Sequence, residues 1–123
     1  MAAAALAAAQ RAAAIDPPGS WLTHLLTCES YFYLGRYDNA VAVCQKSAGL
    51  NNWWVPQMYL AAAYAQVGDM SKATIARDAL LKAKPGFTTD LYRKLYYSGT
   101  PTFFDLLEKH LATGLRKVDV PEK

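Results

Sequence analysis

The chain has 123 residues, of which 53% are hydrophobic and 19% charged, with a formal net charge of +3. This composition is typical of one small folded domain. The charge is too small and too scattered for a nucleic-acid surface, because Lys and Arg never form a run longer than a pair such as Arg116-Lys117. We therefore expect no nucleic-acid partner.

The first segment, residues 1–19, predicts a single helix without its partner helix. Residues 2–14 are mostly alanine, which has the highest helix propensity, and the motif DPPG at 16–19 ends the run. It does not resemble a signal peptide, since it lacks a basic start and Arg11 interrupts it. No other segment approaches the roughly 20 apolar residues of a membrane span. We expect a soluble, cytoplasmic protein without membrane association.

The two cysteines, Cys28 and Cys44, are expected to be reduced thiols that fill small spaces in the core of a cytosolic protein. A disulfide between them on facing helices is the alternative.

Residues 20–52 predict a first helical hairpin. From Ser20 to Leu34 the apolar residues have helical spacing on more than one face, which indicates a helix with several neighbours. Gly35 supplies the backbone freedom for the turn. The buried stripe of the second helix is predicted to consist of Ala40, Val43, Cys44, Ser47 and Ala48.

Residues 53–86 predict a second hairpin, with Gly68 at its turn and a second helix that ends before Pro85. Its predicted inward stripes are Met58, Leu60, Ala61, Tyr64 and Ala65 on the first helix and Ala73, Ala76, Leu80 and Leu81 on the second. Trp53 and Trp54 are adjacent and cannot face the same direction on a helix. One of them should anchor the core, and the other is a candidate interface residue.

Residues 87–123 predict a third, looser hairpin, with helices from about Thr89 to Tyr97 and from about Thr102 to Leu115. The stripe of its second helix consists of Phe103, Leu106, Leu107, His110, Leu111 and Leu115.

The first two hairpins carry the same phrase, YFYLGRYDNA at 31–40 and YAQVGDMSKA at 64–73. The offset is 33 residues at each landmark, since 64 minus 31, 68 minus 35 and 73 minus 40 agree. A period of this length indicates stacked helical hairpins, and such a stack presents a binding surface more often than a catalytic cavity.

These residues resemble the tetratricopeptide repeat. The framework positions that match are Tyr31, Gly35, Ala40, Leu60, Tyr64, Gly68, Ala73 and Pro85; the departures are His24, Thr27, Cys28, Ser47 and Asn52. The resemblance implies an all-α fold, a right-handed α-solenoid of stacked antiparallel helix hairpins closed by a C-terminal capping hairpin. In this arrangement residues 1–19 are the remainder of a truncated repeat.

Residues 59–68, 84–87 and 111–121 are also similar to the C-terminal repeat region of bacterial multidomain proteins. In those proteins a class III adenylate or guanylate cyclase domain, or a winged-helix domain, is joined to tetratricopeptide repeats. The resemblance implies a docking or regulatory region of a bacterial signalling protein. None of the cyclase carboxylates and no DNA-reading helix can be placed in this chain.

By alignment to the repeat, the inner face of the stack comprises the first helices of both hairpins. Its residues are Leu22, Leu25, Leu26, Glu29, Tyr33, Met58, Tyr59, Ala62 and Gln66. The face lacks the Lys and Asn with which family members hold acidic chaperone tails. An apolar groove with aromatic edges suits a protein or peptide with an apolar or amphipathic segment. The alternative is that neighbouring repeats or the protein's own tail cover the face.

The sequence shows no constellation for catalysis. His24 with Cys28 at i, i+4 is the nearest approach to a metal pair, and two ligands do not make a site. His110 is expected at the edge of the core, and Asp90, Asp105 and Glu108 as helix-end and surface charges. We expect no enzyme, cofactor or metal. The alternative functions are self-association through the alanine helix and Trp21, and a secretion chaperone of the tetratricopeptide type.

Overall fold

A computed structural model describes residues 21–50, 53–95 and 101–123 and shows only helices and connections in these ranges. The prediction of an all-α protein is confirmed. The predicted alanine helix lies outside the described residues. The helices are α1 (Trp21–Tyr33), α2 (Tyr37–Leu50), α3 (Trp54–Gln66), α4 (Met70–Ala83), α5 (Thr89–Leu95), α6 (Pro101–Leu106), a π-helical segment (Leu107–Ala112) and α7 (Thr113–Lys117). The last three follow one another without a break, and we call them together the C-terminal helix.

The two repeated phrases form the same turn. Gly35 and Gly68 have φ angles of +80° and +85°, which few residues other than glycine adopt readily. After α1, the N–H of Arg36 donates to the carbonyl of Tyr31 at 2.9 Å, and after α3 the N–H of Asp69 donates to the carbonyl of Tyr64 at 2.9 Å. Both are the long hydrogen bond of a Schellman motif, which ends a helix and reverses the chain.

Helix α3 lies at the centre of the described structure. It packs against α4, α2, α1 and the C-terminal helix, and every residue from Met58 to Ala65 is buried. α1 packs against α2, so that each repeated turn joins two helices in contact. Because α3 has neighbours on all sides, its sequence is apolar all round, as expected of an interior helix.

The matching alanines and tyrosines of the two phrases lie in the core or pack against it. Ala40 and Ala73 are both fully buried, and Tyr64 is buried while Tyr31 is partly buried. The tryptophan pair also divides as expected. Trp54 packs against Phe87 at a ring distance of 5.4 Å, whereas Trp53 is 42% exposed.

Cys28 and Cys44 form a disulfide, so the expectation of reduced thiols is wrong for the structure. The bond links α1 to α2 with a Cα–Cα distance of 5.2 Å. The helices approach closely here because the fully buried residues of α2, Ala40, Cys44 and Ser47, are all small.

The C-terminal helix is longer than predicted and contains a wide π turn. Leu107, Leu111 and Leu115 are fully buried on one stripe, and His110 is buried beside them. After Lys117 the chain reverses at Asp119, whose φ of +60° lies in the left-handed region. The final residues then return to α5, where the carbonyl of Pro121 accepts a hydrogen bond from the N–H of Thr89 at 3.0 Å.

Candidate partner-binding face

The predicted inner face is formed by α1 and α3, and most of it is covered. Five of its nine residues are buried, two are partly buried and one, Leu26, is 41% exposed. The buried residues are Leu25, Tyr33, Met58, Tyr59 and Ala62; the partly buried ones are Glu29 and Gln66. Leu22 lies in α1, in a part of the helix whose side chains the structure does not describe. In this conformation a partner reaches little of the face.

The C-terminal helix covers the part of the face that α3 contributes. Gly114 lies directly on the backbone of Ala62, so that a Cβ added to Gly114 would be 2.7 Å from the Ala62 carbonyl oxygen and 3.0 Å from its Cα. Atoms of real side chains do not approach so closely, and only glycine fits. Ala62 and Gly114 therefore bring two helices together at backbone distance, which larger residues at either position would prevent.

His110 attaches the same helix to the first hairpin. Its Nδ1 lies 2.6 Å from the hydroxyl oxygen of Tyr37, and its ring packs edge-on against Phe32 and Tyr33 at centroid distances of 6.1 and 6.2 Å. Burial lowers the pKa of His110, and the nearby Lys109 lowers it further. A neutral imidazole can accept a hydrogen bond from the Tyr37 hydroxyl at Nδ1, so this contact suits the uncharged ring.

Gln66, at the end of α3, forms hydrogen bonds with two places on the C-terminal helix. Its Nε2 donates to the carbonyl of His110 at 2.8 Å, and its Oε1 accepts from Nζ of Lys117 at 2.8 Å. The carbonyl that accepts the first of these bonds belongs to the π-helical segment. A residue predicted to meet a partner peptide thus meets a helix of its own chain.

A buried hydroxyl cluster lies on the same face. The Tyr59 hydroxyl oxygen is 2.8 Å from that of Tyr92 on α5 and 3.3 Å from that of Tyr33 on α1. Burial raises the pKa of Glu29, an effect that its hydrogen bond with Tyr59 partly offsets. The pKa of Tyr59 is raised well above its usual value, chiefly by burial. The cluster thus favours neutral tyrosines and disfavours a charged carboxylate.

Arg93 of α5 holds the C-terminal region together electrostatically. It forms ion pairs with Asp90, with Glu108 of the C-terminal helix at 2.5 Å, and with Glu122 of the tail at 3.6 Å. These contacts, with the Glu108 pair contributing most, raise the pKa of the guanidinium above its usual value. Asp90 and Glu108 were expected as helix-end and surface charges, and both lie in this network.

Sequence reasoning missed Gly114, Tyr37, Tyr92 and Arg93 as members of this arrangement. The signal for Gly114 was present, because an isolated glycine within a helical pattern indicates close packing. Tyr92 gave no comparable signal, since its partner Tyr59 is 33 residues away along the chain. For Arg93 only the pair with Asp90 is local, and its partner Glu108 is 15 residues away. His24 and Cys28, the nearest approach to a metal pair in the sequence, were expected to be packing residues, and the Cys28 sulfur is bonded to Cys44.

Across the described ranges no group of three or more His, Cys, Asp or Glu residues is placed to hold a metal ion. Among the same residues, no helix combines the length and apolar character needed to cross a bilayer.

The geometry defines an all-helical protein in which two hairpins with equivalent turns hold a further helix of the same chain. Comparison with protein-family models, with curated proteins and with solved structures gave no match.

Proposed function

We propose that this chain is a non-catalytic protein-interaction module of stacked tetratricopeptide-like hairpins, and that the face formed by α1 and α3 binds an α-helix with an apolar or small-residue stripe. The observation that carries the proposal is the contact of Gly114 with Ala62, where this face holds a helix at backbone distance. The same face holds that helix through polar contacts, from Gln66 to His110 and Lys117. A partner helix with the same features would use the same groups.

The C-terminal helix is, in this proposal, a ligand present within the chain. A partner binds by replacing it, and the observed affinity is reduced by the fraction of molecules in which the face is covered. The setting suggested by the sequence resemblance, a docking region of a bacterial signalling protein, is part of the proposal. The self-association alternative rests on residues 1–19 and on the Trp21 side chain, which the structure does not describe, and stays a prediction.

The test uses the full chain and a labelled synthetic peptide of residues 101–123. In the Leu111→Asp variant a charge is placed in the buried stripe of the C-terminal helix, which should release that helix from the face. We expect fluorescence anisotropy to show binding of the peptide to this variant and at least tenfold weaker binding to the wild-type chain. A peptide with Gly114→Leu is the matched control and should bind neither protein.

A second variant, Gly114→Leu in the full chain, protects the test against a folding failure of the first. Circular dichroism establishes that each variant keeps its helices before titration. A helical variant that does not bind the wild-type peptide would refute the proposal. Leu25 and Met58 of the predicted face are not chosen for substitution, because both belong to the buried core and a change there would also destabilise the fold.

A further inference from the structure

The disulfide between Cys28 and Cys44 has no counterpart in the second hairpin. The equivalent positions, 33 residues further on, are Ala61 and Arg77. Ala61 is buried in α3, whereas Arg77 on α4 donates a hydrogen bond to the carbonyl of Val118 in the tail at 3.1 Å. Thus α4 is attached to the rest of the molecule by a polar contact at the position where α2 carries a covalent bond.

The fully buried side chains of helix α2 are all small. Ala40, Cys44 and Ser47 are its buried residues, and none of them is large. By comparison α4 buries Leu80 along with two alanines, and α3 buries Met58 and Tyr59. The larger apolar residues of α2, Tyr37, Val41 and Val43, pack against the core but are only partly buried, so part of their apolar area stays in water.

We propose that the Cys28–Cys44 disulfide is the lock that holds α2 in the fold, and that the domain is fully assembled only under oxidising conditions. The bond closes a loop with a sequence separation of 16 residues and restricts the unfolded chain accordingly. Such bonds persist in secreted, periplasmic or otherwise oxidising environments. The proposal therefore places the working protein in such a compartment, in contrast to the cytoplasmic setting expected from the sequence.

Release of α2 would also affect the C-terminal helix. Tyr37 on α2 contacts His110, and Gln45 on α2 donates a hydrogen bond to the Tyr64 hydroxyl. Reduction breaks the S–S bond and forms two S–H bonds. A dithiol such as dithiothreitol supplies the two electrons and two protons and closes to its own cyclic disulfide. Because both sulfurs are buried, α2 must move before the dithiol can react.

The experiment compares oxidised and reduced full-length chain. Protein is unfolded in guanidinium chloride with or without dithiothreitol and refolded under the same redox condition. Mass spectrometry after alkylation counts the free thiols, with none expected in the oxidised protein and two in the reduced protein. We expect the thermal midpoint to fall by about 10 °C on reduction. Failure of the reduced chain to refold would support the proposal in the same way.

The matched control is the double variant Cys28→Ala/Cys44→Ala. Alanine is the residue at position 61, which is the equivalent of position 28 in the second hairpin. The midpoint of the double variant should be low and the same with and without dithiothreitol. A second readout is the pKa of His110 measured by NMR, which should rise toward its usual value when the reduced α2 releases Tyr37. Two free thiols in the oxidised protein, or equal midpoints for oxidised and reduced wild type, would overturn the proposal.

Discussion

Replacing Gly114 with alanine tests whether close packing of the C-terminal helix on α3 stabilises the protein. The added Cβ would lie 2.7 Å from the carbonyl oxygen of Ala62 and 3.0 Å from its Cα and Cβ. Ordinary contacts between such atoms are about 3.5 Å or longer. Because the nearest atoms belong to the backbone of a buried helix, no side-chain rotation relieves the overlap, and the two helices must separate.

Two opposing effects determine the expected magnitude. Alanine is favoured over glycine in a helix by about 1 kcal/mol, which stabilises the variant. Overpacking of a well-packed contact costs about 1–3 kcal/mol, and separation of the helices also weakens the neighbouring contacts of Leu111 and Leu115. We expect a net loss of about 1–2 kcal/mol of unfolding free energy, or a fall of about 5 °C in the thermal midpoint.

Gly49→Ala is the matched control for this prediction. Gly49 also lies in a helix, α2, and a Cβ added there meets no atom within 4 Å. The same substitution should therefore stabilise the protein by about 0.5–1 kcal/mol, because only the helix propensity changes. Urea unfolding of the wild type and both variants gives the three free energies. A Gly114→Ala variant as stable as Gly49→Ala would refute the close packing described here.

Three further predictions concern charge and backbone conformation. Asp119→Gly should raise the unfolding free energy by about 0.5–1 kcal/mol in urea titrations, because glycine adopts the left-handed conformation without strain. An unfolding free energy below that of the wild type would contradict the left-handed conformation at position 119. Glu29→Gln should be more stable than wild type at pH 7 and lose this advantage by pH 4. Burial raises the pKa of Glu29, so the contribution of this residue to stability is greatest below the usual pKa of 4.5 and is lost as the pH rises through the raised value. Differential scanning calorimetry of both proteins across this range should show parallel curves if the burial is absent. Arg93→Ala should cost about 1 kcal/mol at low salt and less in 1 M NaCl; a loss independent of salt in thermal melts would argue against the ion-pair network.

The turns and the buried stripes were accessible from the sequence because they depend on local chemistry. Glycine at 35 and 68 is needed for the left-handed residue of each turn, and both have that conformation. The alanines at 40 and 73 were predicted in the inward stripes of the second helices, and both are buried. Such features involve neighbours in the chain or a periodic spacing, which a single sequence displays directly.

From the sequence, coverage of the inner face by the protein's own tail was only one of two alternatives. The residues Tyr33, Ala62 and Gln66 were assigned to one face by alignment to the repeat that the sequence resembles. Whether a partner or the chain itself occupies that face depends on where the C-terminal helix packs. The contact between Gly114 and Ala62, 52 positions apart by the subtraction 114 minus 62, decides this. An isolated glycine in a helical pattern indicates close packing, but it does not identify the residue on which it packs.

The sequence by itself determined the helical hairpins, their 33-residue period and the residues that close their turns, because helix propensity, glycine conformation and apolar spacing act over a few residues. The tertiary structure alone decided the pairing of Cys28 with Cys44, the grouping of carboxylates around Arg93 and the helix that occupies the face of α1 and α3. Each of these joins groups brought together only by the packing of the whole chain, and their distances follow from that packing rather than from their spacing in sequence.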